Sequence, residues 1–268
     1  FNFFSYDLRE YKKIQFLFTK YKFKKVIHLA AQAGVRYSLK NPRAYLNSNI
    51  IGFFNILECS KKNKITKLIF ASSSSVYGNL NKIKFKENDS TDHPIQFYAA
   101  TKKSNEVMAH AYSQLYKMNI FGLRFFTVYG PWGRPDMSYY KFTKNIIKNK
   151  KIDIYNMGNH KRDFTYIDDV CEIIGKLTTL PEKKLRNFKI FNVGSSKPHK
   201  LIRMIDTLES ILRKKSKRNY LGLQKGDVQK TFSDSSLIKK YVKIRSKTSL
   251  SHGLSQFVNW YKKYNRIK

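Results

Sequence analysis

Acidic residues are scarce in this chain. Eighteen Asp and Glu stand against 53 Lys and Arg, a formal charge of +35 over 268 residues. Such an excess permits a polyanion-binding surface without requiring one. Arginine is also sparse, 12 against 41 lysines, and the lysines fall in scattered pairs such as Lys12-Lys13, Lys102-Lys103 and Lys239-Lys240. Nucleic-acid recognition favours Arg forks and a focused basic stripe, so no nucleic-acid partner is expected and the charge reads as solvated surface. Cysteine is nearly absent: Cys59 and Cys171 form no CxxC pair and no His spacing completes a zinc set. A disulfide framework is thereby excluded, and no metal is expected. No apolar run approaches the roughly 18 residues that would span a bilayer, and no basic, apolar and small-residue leader opens the chain. No membrane partner is expected, and the cytoplasm is the natural compartment.

What is present argues for a folded α/β protein. Hydrophobic residues make up 41% and aromatic residues 15%, too many for a disordered chain. The length suits one large domain, or one domain with a small second lobe. Apolar runs of strand length alternate with segments of helical period, the pattern of βαβ units and a mostly parallel sheet. Strands are expected at 1–4, 25–29, 67–71, 120–125 and 189–193, and helices at 8–21, 42–63 and 94–118. The first residues, Phe1-Asn2-Phe3-Phe4, read as a strand already under way, so a preceding segment is expected. After Gly130 the chain turns to Gly and Pro punctuation and short elements, as in a smaller lobe.

Ligands of parallel sheets bind where strands end. Lys25-Val26-Ile27-His28-Leu29 runs into Ala30-Ala31-Gln32-Ala33-Gly34, small residues that admit a flat ligand or merely pack. Leu68-Ile69-Phe70-Ala71 is followed by Ser72-Ser73-Ser74-Ser75, which alone also suits an ordinary polar loop. Tyr98-Ala99-Ala100-Thr101-Lys102 puts a phenol and an ammonium four residues apart, on one face of a helix. By itself that spacing is equally met by an apolar Tyr beside a solvated Lys. Together, a hydroxyl at a strand end, a phenol and a lysine that lowers its pKa make a proton-transfer set for oxidising an alcohol.

With that set, three further stretches resemble the extended short-chain dehydrogenase/reductases, in the nucleotide-sugar epimerase branch and closest to the UDP-glucuronate 4-epimerase group. They are His28 to Ser38, Pro131-Trp132-Gly133-Arg134-Pro135-Asp136-Met137 and Arg162-Asp163-Phe164-Thr165-Tyr166-Ile167-Asp168-Asp169. The resemblance implies an α/β fold: a Rossmann-like doubly wound parallel sheet with a smaller C-terminal α+β substrate lobe. Residues 1–130, with 160–195, would form the NAD-binding domain, and 131–159 with 196–268 the substrate lobe. It implies NAD as cofactor and a UDP-sugar as substrate, UDP-glucuronate being converted to UDP-galacturonate through a transient 4-keto sugar. UDP-glucose or UDP-N-acetylglucosamine is the alternative substrate.

The same resemblance implies roles for single residues. Tyr98 would be the acid/base, Lys102 would lower its pKa, and Ser73 would hydrogen-bond the reacting oxygen. Asp7 and Leu8 would meet the adenine side of NAD, with Ala30, Ala31, Gln32 and Asn49 along the cofactor. Ser72, Ser74, Thr127, Arg162, Gln224 and Asp227 would contact the nucleotide sugar, Arg162 as a two-pronged diphosphate ligand. Arg134 and Lys141 would restrain the glucuronate carboxylate, because a 4-keto uronate is a β-keto acid prone to lose carbon dioxide. Ser74 and Ser75 stand where related dehydratases carry an acidic pair, which favours epimerisation over dehydration. A homodimer through 42–63 and 94–118 follows by analogy.

One departure is large. The resemblance calls for a GxxGxxG turn whose amides cradle the cofactor pyrophosphate, and none precedes Asp7. The domain thus reads as truncated at its N-terminus, and the 268-residue chain is expected to bind NAD weakly and to be inactive alone. The competing reading is a non-catalytic remnant with a polyanion-binding surface.

Overall fold

The computed structural model describes residues 1–224, 228–244 and 248–267. In chain order the elements are α1 (Tyr11–Tyr21), β1 (Lys25–His28), α2 (Val35–Lys40), α3 (Pro42–Tyr45), α4 (Gly52–Lys62), β2 (Lys67–Ser73), α5 (Phe97–Tyr116), β3 (Ile120–Phe125) and β4 (Thr127–Tyr129). They continue with α6 (Ser138–Ile147), β5 (Lys151–Ile154), β6 (Lys161–Tyr166), α7 (Ile167–Thr179), β7 (Phe188–Val193), β8 (Pro198–Lys200), α8 (Leu201–Leu212), β9 (Lys217–Tyr220), α9 (Ser236–Tyr241) and α10 (Leu250–Tyr264). A π-helical turn, Leu46–Ile51, joins α3 to α4.

Two units divide the chain: Phe1–Leu80, Glu87–Phe125 and Lys176–Asn192 form the first, and Asn81–Lys86, Phe126–Gly175 and Val193–Lys268 the second. This boundary differs from the sequence-based one, which placed 160–175 with the first domain. The reason is strand pairing: β6 runs parallel to β4 and antiparallel to β8, both in the second unit.

In the first unit the sheet has the order β1-β2-β3-β7, with β1, β2 and β3 in parallel register. Leu68, Ile69 and Phe70 are all buried, as expected of a strand covered on both faces. Ile14 and Phe18 of α1, Phe53 and Leu57 of α4, and Ala109 of α5 pack with Leu68, Phe70 and Ile120 in one core. Each large side chain so buried stabilises by about 1.5–3 kcal/mol. Gly122 in the middle of β3 is required by close packing, since a Cβ there would lie 2.5 Å from Ile190 Cδ1 and 2.7 Å from Phe70 Cζ. The buried Lys67 ammonium donates to the carbonyls of Leu177, Thr178 and Leu180 at 2.8, 3.3 and 2.6 Å. It thereby satisfies acceptors that the end of α7 leaves without intrahelical partners.

The first residues correct the sequence reading. Residues 1–4 are not a strand: Phe1 and Phe3 are exposed, and Phe4 instead packs its ring on Tyr6 and Tyr21. A strand exists only through a ladder partner, and these residues have none among the described residues. Strand β1 is outermost in its sheet, with Ile27 and the following Leu29 exposed. Helix α1 starts at Tyr11 rather than Leu8, because the Asp7 carboxylate accepts from the Arg9 amide and side chain and closes a turn there.

The second unit holds a three-stranded sheet, β4-β6-β8, and a two-stranded one, β5-β9. Tyr129, Tyr139, Phe164, Met204, Leu208, Leu254 and Phe257 share its core. Asp163, fully buried on β6, accepts from the Ser195 amide and hydroxyl, the Ser196 amide, and the Ser233 amide and hydroxyl. One carboxylate thus fastens two later segments to the strand. Among the described residues no helix is long and apolar enough to cross a membrane.

Candidate active site

Strand β2 ends in Ser72 and Ser73, and alternation along the strand sends their side chains to opposite faces. The buried Ser73 hydroxyl accepts from the Ser75 amide at 3.1 Å and opens a 3₁₀ turn, Ser74–Tyr77. Tyr98 lies in the first turn of α5 and Lys102 one turn later, on the same face. The Lys102 ammonium donates to the Ala71 carbonyl at 2.9 Å, which ties this face of α5 to the end of β2 where Ser73 stands. Burial pushes the Lys102 pKa down to about 8, so the group is still cationic at neutral pH. Among the described residues it has no second acceptor, leaving N–H groups for a ligand hydroxyl.

His28, at the end of β1, is buried with its ring against Phe53, and burial with the Lys102 charge drives its pKa down to about 3. It is a neutral imidazole beside the lysine. Asn49, in the π-helical turn, holds the segment after β1 by both ends of its amide: Oδ1 accepts from the Gln32 amide at 2.8 Å and Nδ2 donates to the Gln32 carbonyl at 3.0 Å. Nδ2 also reaches Thr101 Oγ1 at 3.0 Å, and that hydroxyl donates to the Tyr98 carbonyl. Tyr45 packs its ring edge-on to Tyr98 and donates its hydroxyl to the Ala33 and Gly34 carbonyls. Gln32, Ala33, Gly34, Tyr45, Asn49, Tyr98 and Thr101 are therefore one connected set, with Lys102 next to Thr101 on the same helix.

Other expected residues stand apart from it. The Ser72 hydroxyl donates to Glu106 Oε1 at 2.5 Å inside a buried network, an arrangement that does not match a substrate donor. Glu106 forms a two-pronged pair with Arg124, and Arg124 also donates to Tyr77 Oη and the Glu87 carbonyl. Asp7 is exposed and paired with Arg9, whose guanidinium lowers its pKa to about 2, and the Leu8 carbonyl accepts from Asn55. Ser74 is half-buried.

In the second unit, Thr127 is half-buried on β4. Arg162, on β6, donates to the Lys161 and Gln229 carbonyls at 3.1 and 2.9 Å, and Arg134 is exposed in an ion pair with Asp136. Both guanidiniums thus have protein acceptors. Lys141 is exposed on α6 and Gln224 is half-buried, while Asp227 lies outside the described residues.

Sequence reasoning passed over Tyr45, Glu106 and the lysine-facing place of His28. A signal existed for Glu106, which follows Tyr98 and Lys102 at a spacing of four on the same helix face. None existed for Tyr45, whose partner carbonyls lie in a separate segment.

Residues 1–194 match the family described as the NAD dependent epimerase/dehydratase family. The chain is 45% identical to Protein CapI of Staphylococcus aureus, over 98% of this chain and 83% of that protein. It is 43% identical to UDP-glucuronate 4-epimerase 2 of Arabidopsis thaliana, over 96% of this chain and 63% of that one. Among solved structures, UDP-glucuronic acid 4-epimerase from Bacillus cereus, in complex with UDP-glucuronic acid and NAD, superposes with a TM-score of 0.90 at 31% identity. That match covers 97% of this chain and 81% of the other.

Proposed function

Because the chain belongs to the NAD dependent epimerase/dehydratase family, we propose that it interconverts UDP-glucuronate and UDP-galacturonate at C4, with NAD as the resident cofactor. The observation that carries this reading is the bond from Lys102 to Ala71, which joins the YxxxK helix to the serine strand end. The UDP-glucuronate 4-epimerases among its relatives support the choice of sugar.

The residues present suit the nicotinamide half of NAD. Lys102 has N–H groups to offer a ribose, and the Asn49 clamp holds the small residues after β1 in place beside it. When bound, NAD supplies a reversible hydride acceptor for C4. Tyr98 takes the O4 proton as that carbon is oxidised and gives it back when the sugar is reduced on its other face. Lys102 favours the phenolate through its charge, and Ser73 donates to the same oxygen. Arg162, Thr127, Gln224 and Asp227 are the proposed nucleotide-sugar ligands, and Arg134 and Lys141 the restraints on the carboxylate.

The homodimer reading rests on apolar side chains exposed along α4 and α5, namely Phe54, Val107 and Leu115. Sedimentation of a monomer at all concentrations would refute it. For the activity, the protein is incubated with UDP-glucuronate and NAD⁺ and the nucleotide sugars are separated by chromatography. UDP-galacturonate is the expected product. Turnover of UDP-glucose or UDP-N-acetylglucosamine with none of UDP-glucuronate would transfer the assignment to the neutral sugars.

A further inference from the structure

The second unit carries a cluster of cations that the proposed epimerisation does not use. Lys161 on β6 lies directly opposite Lys200 on the antiparallel strand β8, and on its other side it bridges in register to Lys230. Paired residues of neighbouring strands project from the same face, about 5 Å apart. Three ammoniums therefore leave one face of the sheet in a row. Like charges placed opposite each other destabilise a sheet, and no acid among the described residues forms an ion pair with any of the three. The buried carboxylate of Asp163, two residues along β6, is already engaged by Ser195, Ser196 and Ser233.

The row opens into a cleft of about 440 Å³, lined also by Arg203, His199 and Phe232. Arg203 comes from the first turn of α8, so the positive end of that helix adds to the potential. His199 is held below the usual imidazole pKa by burial and by the Arg203 charge, so the ring adds no cation of its own at neutral pH. Four fixed cations from β6, β8, α8 and the segment at 230 converge on one concave surface.

We propose that this cleft binds an oligophosphate, a linear anion whose successive charges match a row of ammoniums with an Arg fork at one side. The ligand is either free polyphosphate or the phosphate tail of a nucleotide. Phosphate suits the site because each group accepts several N–H bonds at once and is held by ammonium and guanidinium alike. The proposal does not depend on the epimerase reading, since none of these residues is among the groups assigned to it.

Calorimetric titration with sodium tripolyphosphate, ATP and AMP tests it. Tripolyphosphate and ATP are expected to bind and AMP to bind much more weakly. Equal affinity for the first two identifies the phosphate chain alone as the ligand, and a preference for ATP identifies the nucleotide tail. Replacing Lys161 and Lys230 together by Gln is expected to weaken binding by about tenfold or more, from the usual worth of charge-assisted hydrogen bonds. The same change should raise the melting temperature of the ligand-free protein, since it removes like-charge repulsion. Arg203→Gln, outside the sheet, provides a second variant with the same expected loss. Lys239→Gln with Lys240→Gln, on α9, removes equal charge away from the cleft and should leave affinity unchanged. Unaltered binding in the Lys161/Lys230 and Arg203 variants, or an equal loss in the α9 control, overturns the proposal.

Discussion

Glu106 and Arg124 form a buried two-pronged ion pair, with Nε–Oε1 and Nη2–Oε2 distances of 2.9 and 2.8 Å, and the Ser72 hydroxyl donates to the same carboxylate. Removing one partner of such a pair strands a buried charge. Arg124→Met is expected to cost about 3–5 kcal/mol of stability. Denaturant titration should show Glu106→Leu with Arg124→Met recovering part of that loss, because both charges then leave together. A double variant less stable than either single one would contradict this account.

Tyr98 and Lys102 are separable by kinetics. Tyr98→Phe removes the proton carrier and is expected to lower kcat by about 10²–10⁴-fold, with circular dichroism unchanged. Lys102→Met removes a cofactor contact as well, so it should weaken NAD binding in addition to lowering kcat. Wild-type turnover by the Tyr98→Phe protein would remove Tyr98 from the mechanism.

His28 makes stability depend on acid. Its folded pKa is about 3, because burial and the Lys102 charge oppose protonation, whereas an unfolded histidine titrates near 6.5. Between these values the unfolded chain binds a proton that the folded chain refuses, so stability falls as the pH drops from about 6.5 towards 3. Melting curves across that interval should show a shallower fall for His28→Phe than for the parent protein. Parallel curves would mean that the imidazole is not the group responsible.

Asn49 is expected to matter for order as well as stability. Asn49→Ala leaves the Gln32 amide and carbonyl without their partner, a loss of about 1–3 kcal/mol. Hydrogen exchange should quicken at residues 30–34 in particular. Unchanged protection there would separate Asn49 from the segment it clamps.

Much of the first unit could be read from the sequence. The runs at 25–28, 67–73 and 120–125 became neighbouring parallel strands, because buried strands are written as short continuous apolar stretches. That Tyr98 and Lys102 would share one helix face was readable from their spacing, whereas the roles proposed for them and for Asn49 come from resemblance. Phe1 to Phe4 misled because an aromatic run states a preference for extended backbone but says nothing of whether a partner is there to pair with it. Ser72 and Ser73 look alike in a run of four serines; only the strand's alternation reveals that one faces Glu106 and the other the turn. Arg162 is a residue type that suits diphosphate, yet residue type cannot reveal that its guanidinium already has the Gln229 carbonyl as acceptor.

The π-helical turn at Leu46–Ile51 has a final consequence. The Gly52 amide bonds back five residues to Asn47 rather than four, so the 42–62 helix holds one residue more than regular winding accommodates. That surplus is absorbed locally: a turn closed by a bond to the fifth residue covers about the same angle as an α turn closed to the fourth, so the two halves keep their phase. Excising a single residue from the turn would let the helix wind regularly and leave Tyr45 in nearly its present phase relative to α4. The extra residue is thus a length the helix can spare without losing the alignment of Tyr45 with Tyr98.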